Sequence, residues 1–265
     1  MTAAVGRILV VGGSGFLGSS ICRVALQRGL EVVSLSRHGA PARPHPTAPR
    51  PAWHEQVHWQ QGDALQPDTY AKVAQDCSGI VHTVGTLLET DYKPLIKAGS
   101  VCQAASQWRS LRTNPTGVNY RRINRDTALE VAQTAVKSGA PKTFVYISAS
   151  DVLPFIDRRY ISTKREAEVA LLTMDALRTV IMRPGIMYSE QQPLTMSVAS
   201  VLGMVGQAKK SLLNMVSRTQ PPVSTGLATP PLHTDTVAQA VVTALCTERI
   251  KGVVNPDGII ELASW

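Results

Sequence analysis

Residues 7–37 read RILVVGGSGFLGSSICRVALQRGLEVVSLSR, and the order of residue types in this stretch decides the fold. Ile8 to Val11 is a short apolar run that predicts a strand. It leads into Gly12-Gly13-Ser14-Gly15-Phe16-Leu17-Gly18 and then into an amphipathic segment that predicts a helix ending near Gly29. Glu31 to Leu35 predicts a second strand. Strand, glycine loop, helix, strand is the context in which a glycine pattern carries meaning. Gly12 permits a tight turn, Gly15 lets the backbone approach a pyrophosphate, and Gly18 permits close packing of helix on sheet. Free N–H groups at the helix start complete the site, so Gly12, Gly13, Ser14, Gly15, Phe16, Leu17 and Gly18 form the expected cofactor-binding loop.

The end of the second strand points to the ligand. A carboxylate there would pair with the ribose hydroxyls of NAD, whereas the chain reads Ser36-Arg37. A guanidinium suits a 2′-phosphate and stacks on adenine, so NADP(H) is expected in preference to NAD(H). Further strands are predicted in "VHWQQG", in "GIVHTVG", at 143–147 and in "LRTVIM", with a helix over 118–138. This alternation predicts an α/β fold, a doubly wound parallel sheet of Rossmann type with a small C-terminal helical appendage. The expected division is a dinucleotide domain over 1–190 with insertions near 39–56 and 89–118, an appendage over 191–233 facing substrate, lipid or partner, and a return over 234–265. Ligands of such sheets lie beyond the carboxyl ends of the strands, which places Thr83, Val84 and Gly85 beside a nicotinamide ribose. His82, one residue earlier, reads as a packed strand residue.

Bulk properties narrow the partners. A chain of 265 residues accommodates one large α/β domain with a small addition. Its 27 Lys and Arg against 19 Asp and Glu leave a net charge of +8, which favours a phosphorylated cofactor or anionic lipid. Aromatic residues make up only 5% and do not alternate with basic runs, so nucleic acid is not expected. Cys22, Cys77, Cys102 and Cys246 are scattered, and neither a metal site nor a disulfide framework is expected. No apolar run approaches the roughly 18 residues that span a bilayer. The seven residues "MTAAVGR" before the first strand are too few for a signal peptide or cleavable presequence.

In "RRYISTKREAE", 158–168, Tyr160 and Lys164 stand four residues apart in the first turns of a predicted helix and share one face. An ammonium near a phenol favours the phenolate and is expected to bring the Tyr160 pKa down from about 10 toward neutrality. Tyr160 then becomes usable in acid/base chemistry. Ser148 and Ser150 follow the fifth strand, and a hydroxyl there is expected to hold a carbonyl oxygen beside the tyrosine. Which of the two does so stays open, with Ser148 in the first instance.

Together, "VVGGSGFLG", "SLSRHG", "VHTVGTLLE", "FVYISAS", "RRYISTKREAE" and "VIMRPG" resemble the atypical short-chain dehydrogenases related to the NADPH-binding accessory subunit of respiratory complex I, and among them the fungal mitochondrial members of the coenzyme Q biosynthetic complex. The resemblance covers nearly the whole chain. It implies a Rossmann fold with bound NADP(H) and catalytic roles for Tyr160, Lys164, Ser148 and the helical Asn124. It also implies cofactor contacts from Ser36, Arg37, Asp63, Lys164 and the turn Arg183-Pro184-Gly185. A place in ubiquinone biosynthesis follows, beside other coenzyme Q biosynthesis proteins on the matrix side of the inner mitochondrial membrane, with the cytoplasm as second choice. The Met-rich, basic-edged stretch 193–218 suits anionic inner-membrane lipid or a polyprenyl ligand. Two functions are expected: a cofactor-binding subunit or regulator, or an NADPH-dependent oxidoreductase that works on a quinone-like or other carbonyl substrate through Tyr160 and Lys164.

Overall fold

A computed structural model describes residues 6–41, 50–86, 119–139, 142–150, 158–190 and 231–265. Strand β1 (Arg7–Val11) is buried along four consecutive residues, the pattern of a strand covered on both faces. Around it lie β2 (Glu31–Ser36), β3 (His58–Gln61), β4 (Gly79–His82), β5 (Lys142–Ile147), β6 (Leu177–Met182) and β9 (Gly252–Val254). They form a sheet in the order β3-β2-β1-β4-β5-β6-β9. Every pairing in it is parallel. The order reverses between β1 and β4, which opens a crevice at their carboxyl ends. The expected doubly wound Rossmann sheet is therefore the observed one.

Alternation along each strand splits the core in two. Ile8 and Val10 of β1 join Val32, Val81, Val145 and Val180 on one face. That face is covered by α1 (Phe16–Gln27), α5 (Thr234–Cys246) and α6 (Pro256–Ala263). Leu9 and Val11 join Val33, Ile80, Phe144 and Ile181 on the other. There the cover is α2 (Ala71–Asp76), α3 (Thr127–Lys137) and α4 (Arg158–Leu172). Each such side chain, once fully buried, stabilises the fold by about 1.5–3 kcal/mol.

Both ends of α5 are held by side chains. Arg178 on β6 donates to the carbonyls of Ala244 (3.0 Å), Leu245 (2.8 Å), Thr247 (3.0 Å) and Ile250 (2.7 Å), and to Thr143 Oγ1 (2.7 Å). A cation here satisfies the orphan carbonyls at the C-terminus of α5 and complements its dipole. At the other end of α5, His233 Nδ1 accepts from the Asp235 amide at 3.2 Å.

The stretch 39–56 contains a 3₁₀ turn, Ala52–Gln56, in which Trp53 lies 6.4 Å from Trp59 between ring centroids. The helix expected over 118–138 opens as a π-helical turn, Arg122–Asp126, before becoming α3. The insertion 89–118 and nearly all of the appendage 191–233 lie outside the described residues. At the two ends of that appendage β7 (Met187–Tyr188) pairs with β8 (Leu232–His233). No helix of the described residues is long and apolar enough to cross a membrane.

His82 on β4 is fully buried, and neither ring nitrogen has a hydrogen-bond partner. Its ring lies 5.8 Å from that of Tyr146. Desolvation, helped by the Lys164 charge, pushes its pKa down to about 3. The unfolded imidazole titrates near 6.5 and the folded one much lower, so stability is lost as pH falls through that window. His82→Leu is expected to remove this loss, worth about 3 kcal/mol near pH 4.5, in urea melts compared at pH 4.5 and 7.5. Arg178→Met leaves four carbonyls short of a donor. It is expected to lower stability by about 2–4 kcal/mol at neutral pH in the same assay.

Candidate functional site at the carboxyl edge of the sheet

Gly12 leaves β1 with φ +88°, and its amide donates to Leu35 O at 2.8 Å. A Cβ at Gly18 would stand 2.1 Å from the Gly12 carbonyl oxygen, so only glycine lets α1 sit this close to the strand end. At Gly15 the nearest atom to such a Cβ would be the same oxygen at 3.1 Å, and Gly15 is exposed. The loop is thus tight underneath and open above. No side chain caps α1, its first turn holds no acidic residue, and the amides of Phe16, Leu17 and Gly18 meet no backbone carbonyl of the described residues. These are the features of an anion cradle at a helix N-terminus, and they fit a dinucleotide pyrophosphate.

The ends of β2 and β3 flank this loop. Ser36 Oγ donates to Gly39 O at 2.7 Å and shapes the turn that carries Arg37. Arg37 is exposed and has neither ion pair nor hydrogen bond among the described residues. Asp63 caps the following turn, accepting from the Leu65 amide at 2.9 Å. Thr83 anchors the end of β4 through its hydroxyl to Val11 O at 2.9 Å.

On the other side of the switch point, three elements converge below Gly85. Asn124, fully buried in the π turn, accepts from the Thr86 amide at 2.8 Å and donates to Thr86 O at 3.2 Å. The Tyr146 hydroxyl donates to the Asn124 carbonyl at 2.5 Å. Lys164 Nζ donates to Ile147 O at 2.8 Å and lies 4.7 Å from the centre of the Tyr146 ring. A Cβ on Gly85 would come within 3.0 Å of Lys164 Nζ and 3.2 Å of Asn124 Oδ1, so the glycine leaves both reachable from the crevice. Desolvation, opposed by Glu168, lowers the Lys164 pKa to about 7.

The expected depression of Tyr160 is not what the structure shows. Its pKa is pushed up to about 12, by desolvation first and by neighbouring Tyr120 second, with Arg165 pulling the other way. The two tyrosine rings sit 6.1 Å apart, edge to face. The Lys164 ammonium is instead directed at Ile147 O and the Tyr146 ring. A shared helix face brought the pair together without aiming the charge at the phenol.

The two serines are separated by their partners. Ser148 Oγ donates to Glu168 and accepts from Arg165 Nη1 at 3.2 Å. Ser150 Oγ is buried without a hydrogen-bond partner, and a Cβ on Gly185 would lie 3.6 Å from it. Arg183 turns its guanidinium to Glu168, with Nε 3.0 Å from Oε1. Glu168, Tyr146 and Arg165 were not singled out from the sequence. Glu168 had a signal: it stands at the third position of the stripe Tyr160, Lys164, Glu168.

A parallel sheet with its ligand crevice at the β1/β4 switch point and a glycine-lined anion cradle defines a nicotinamide-dinucleotide-binding Rossmann protein. The chain belongs to the NAD dependent epimerase/dehydratase family, whose profile matches residues 8–255. It is similar to MIOREX complex component 2 of Saccharomyces cerevisiae, with 29% identity over 96% of this chain and 99% of that protein. It is also similar to an uncharacterized chloroplastic protein of Arabidopsis thaliana, with 28% identity over 97% of this chain and 77% of that protein. Among solved structures, UDP-glucose 4-epimerase of Thermus thermophilus in complex with NAD superposes with a TM-score of 0.59 at 18% identity, over 97% of this chain and 82% of that one. The fold is shared with that enzyme.

Burial of Lys164 gives a prediction. Its folded pKa lies below the unfolded value near 10.5, so the fold gains stability from this group as pH rises from about 7 through 10.5. Lys164→Met is expected to raise the melting temperature at pH 7 by several degrees and to flatten that alkaline gain relative to wild type, measured by circular-dichroism melts.

Proposed function

We propose that this chain is a dinucleotide-binding subunit of an organellar protein assembly and that it takes NADP(H) in preference to NAD(H). The observation that carries the cofactor choice is Arg37, a guanidinium without a partner among the described residues, at the strand end where a carboxylate would select NAD. In this reading Gly12 to Gly18 cradle the pyrophosphate. Ser36 and Arg37 hold the 2′-phosphate, and Asp63 meets the adenine. Thr83, Val84, Gly85 and Lys164 face the nicotinamide ribose, and the backbone of Pro184-Gly185 covers the ring while Arg183 anchors that turn. The bound group would supply hydride chemistry.

Membership of an assembly is supported by the near full-length similarity to a protein named as a complex component. An organelle is supported by the chloroplastic relative. The motif resemblance directs the choice of assembly to ubiquinone biosynthesis in mitochondria, with coenzyme Q biosynthesis proteins as partners at the matrix face of the inner membrane and anionic lipid or a polyprenyl chain beside them.

A second reading, that the chain is an active oxidoreductase, is favoured by Ser150. A buried hydroxyl without a partner beside the Pro184-Gly185 turn is placed to hold a substrate carbonyl. The dinucleotide, when bound, would supply the hydride, and Tyr160, whose raised pKa keeps it protonated at neutral pH, would give its proton to the carbonyl oxygen. Ser150 rather than Ser148 takes the oxygen-holding role, because Ser148 is committed to Glu168.

Titration of the purified protein with NADPH and NADH, followed by tryptophan fluorescence, tests the first reading. NADPH is expected to bind at least tenfold more tightly than NADH, and Arg37→Ala to erase the difference. Equal affinities in the wild type would refute the preference, and binding of neither would refute the site. For the second reading, NADPH oxidation with quinone-like carbonyl substrates is expected to fall about 10²–10⁴-fold in Tyr160→Phe. Activity unchanged in that variant would remove Tyr160 from the chemistry.

A further inference from the structure

We propose that Glu168 is the positioning residue of the dinucleotide site, a single buried carboxylate that fixes the ends of β5 and β6 against α4 and stands one helical turn from Lys164 on the same helix. The inference rests on the reading of Lys164 as a dinucleotide contact. Glu168 is 2% exposed, and a carboxylate at that depth is found only where it is paired. Here it is paired repeatedly. Arg183 reaches it through Nε at 3.0 Å and through Nη2, Arg165 through Nη1 at 2.5 Å, and Ser148 through its hydroxyl. Three of these four donors converge on Oε1 and one reaches Oε2, so both carboxylate oxygens are hydrogen-bonded.

The partners of Glu168 come from the segments that border the nicotinamide end of the crevice. Ser148 leads to Ser150, whose amide donates to Pro184 O at 2.9 Å. Arg183 leads into Pro184-Gly185 and ties its own amide to Val254 O at 2.9 Å. Arg165 adds a bond to Ala149 O at 2.9 Å. Beyond the six-residue ladder that sets the register of β5 and β6, the segments leaving the two strands are thus tied to one side chain from the helix that carries Tyr160 and Lys164.

The same carboxylate sets the charge of the site. Three cations, Lys164, Arg165 and Arg183, surround one anion. From β4, Lys164 is faced by His82, kept neutral by burial. From β5 it is faced by Tyr146, whose pKa desolvation and the nearby Tyr160 hold well above 10. The π turn offers Asn124, which carries no charge. Glu168 is therefore the anion among the described residues that opposes the desolvation of Lys164, whose pKa is lowered to about 7. Desolvation works against Glu168's own charge, but hydrogen bonds from Arg183 and Ser148 and the charge of Arg165 outweigh it and hold its pKa below the usual carboxylate value.

The test is the pH dependence of NADPH affinity in wild type, Glu168→Gln and Glu168→Asp, each first shown to be folded by circular dichroism. Wild-type affinity is expected to fall as pH rises through about 7, where Lys164 loses its proton. In Glu168→Gln that midpoint is expected to move down by one unit or more, which lowers affinity about tenfold at pH 8. In Glu168→Asp the charge remains, and the midpoint is expected to stay near the wild-type value. Direct titration of Lys164 by NMR of ¹³Cε-labelled lysine reports the same shift without any nucleotide. If wild type bound NADPH and neither the binding midpoint nor the lysine titration moved in Glu168→Gln, Glu168 would be a structural residue only, and the site reading would stand. If wild type bound neither nucleotide, the site reading would fall and this inference with it. A lowered melting temperature with an unmoved midpoint also overturns it.

Discussion

The contact between Gly18 and the carbonyl of Gly12 is the constraint on which the rest of this molecule turns. With no side chain at Gly18, α1 rests directly on the end of β1, and its first-turn amides point over the sheet's carboxyl edge. From that placement the outer layer follows: α5 packs along α1, α6 along α5, and the valine face of the sheet is closed. The switch point between β1 and β4 is fixed by the same contact, because the helix after β1 occupies one side of the sheet and the later crossovers return on the other. Structure and anion cradle are one arrangement.

Several buried polar groups gather around the crevice. Asn124, Lys164, Glu168 and His82 are each nearly or wholly inaccessible. Three of them are offset by specific partners: Asn124 by the Thr86 backbone, Lys164 by Ile147 O and the Tyr146 ring, Glu168 by two guanidiniums. His82 has none. Buried polar groups are tolerated where satisfied and destabilising where not. Of these four groups it is His82 that costs the fold stability.

Much of this was legible in the residues. The β1 to β2 stretch could be read because hydrophobic period, glycine spacing and turn residues are local properties, each acting within a few positions. The helix face shared by Tyr160 and Lys164 was legible for the same reason. The π turn at Arg122–Asp126 was not, since it is held by Tyr146 from a strand 22 residues away. Nor could the serines be told apart, because Ser148 and Ser150 are alike in sequence and differ only in which meets Glu168. The direction of the Tyr160 shift went against expectation for a related reason: burial by distant segments desolvates the phenol, and Tyr120, forty residues earlier, adds to the shift.

The sequence by itself determined the parallel doubly wound sheet, the glycine loop after β1, the arginine in place of an acid, and the helix face shared by Tyr160 and Lys164. Periodicity and backbone sterics act along the chain and need no tertiary knowledge. Only the tertiary structure decided where each polar group points: Lys164 to a carbonyl and an aromatic face, Arg183 to a carboxylate, Ser150 to no hydrogen-bond partner among the described residues. Desolvation and pairing depend on which distant segments are brought within a few ångströms, and that is set by packing.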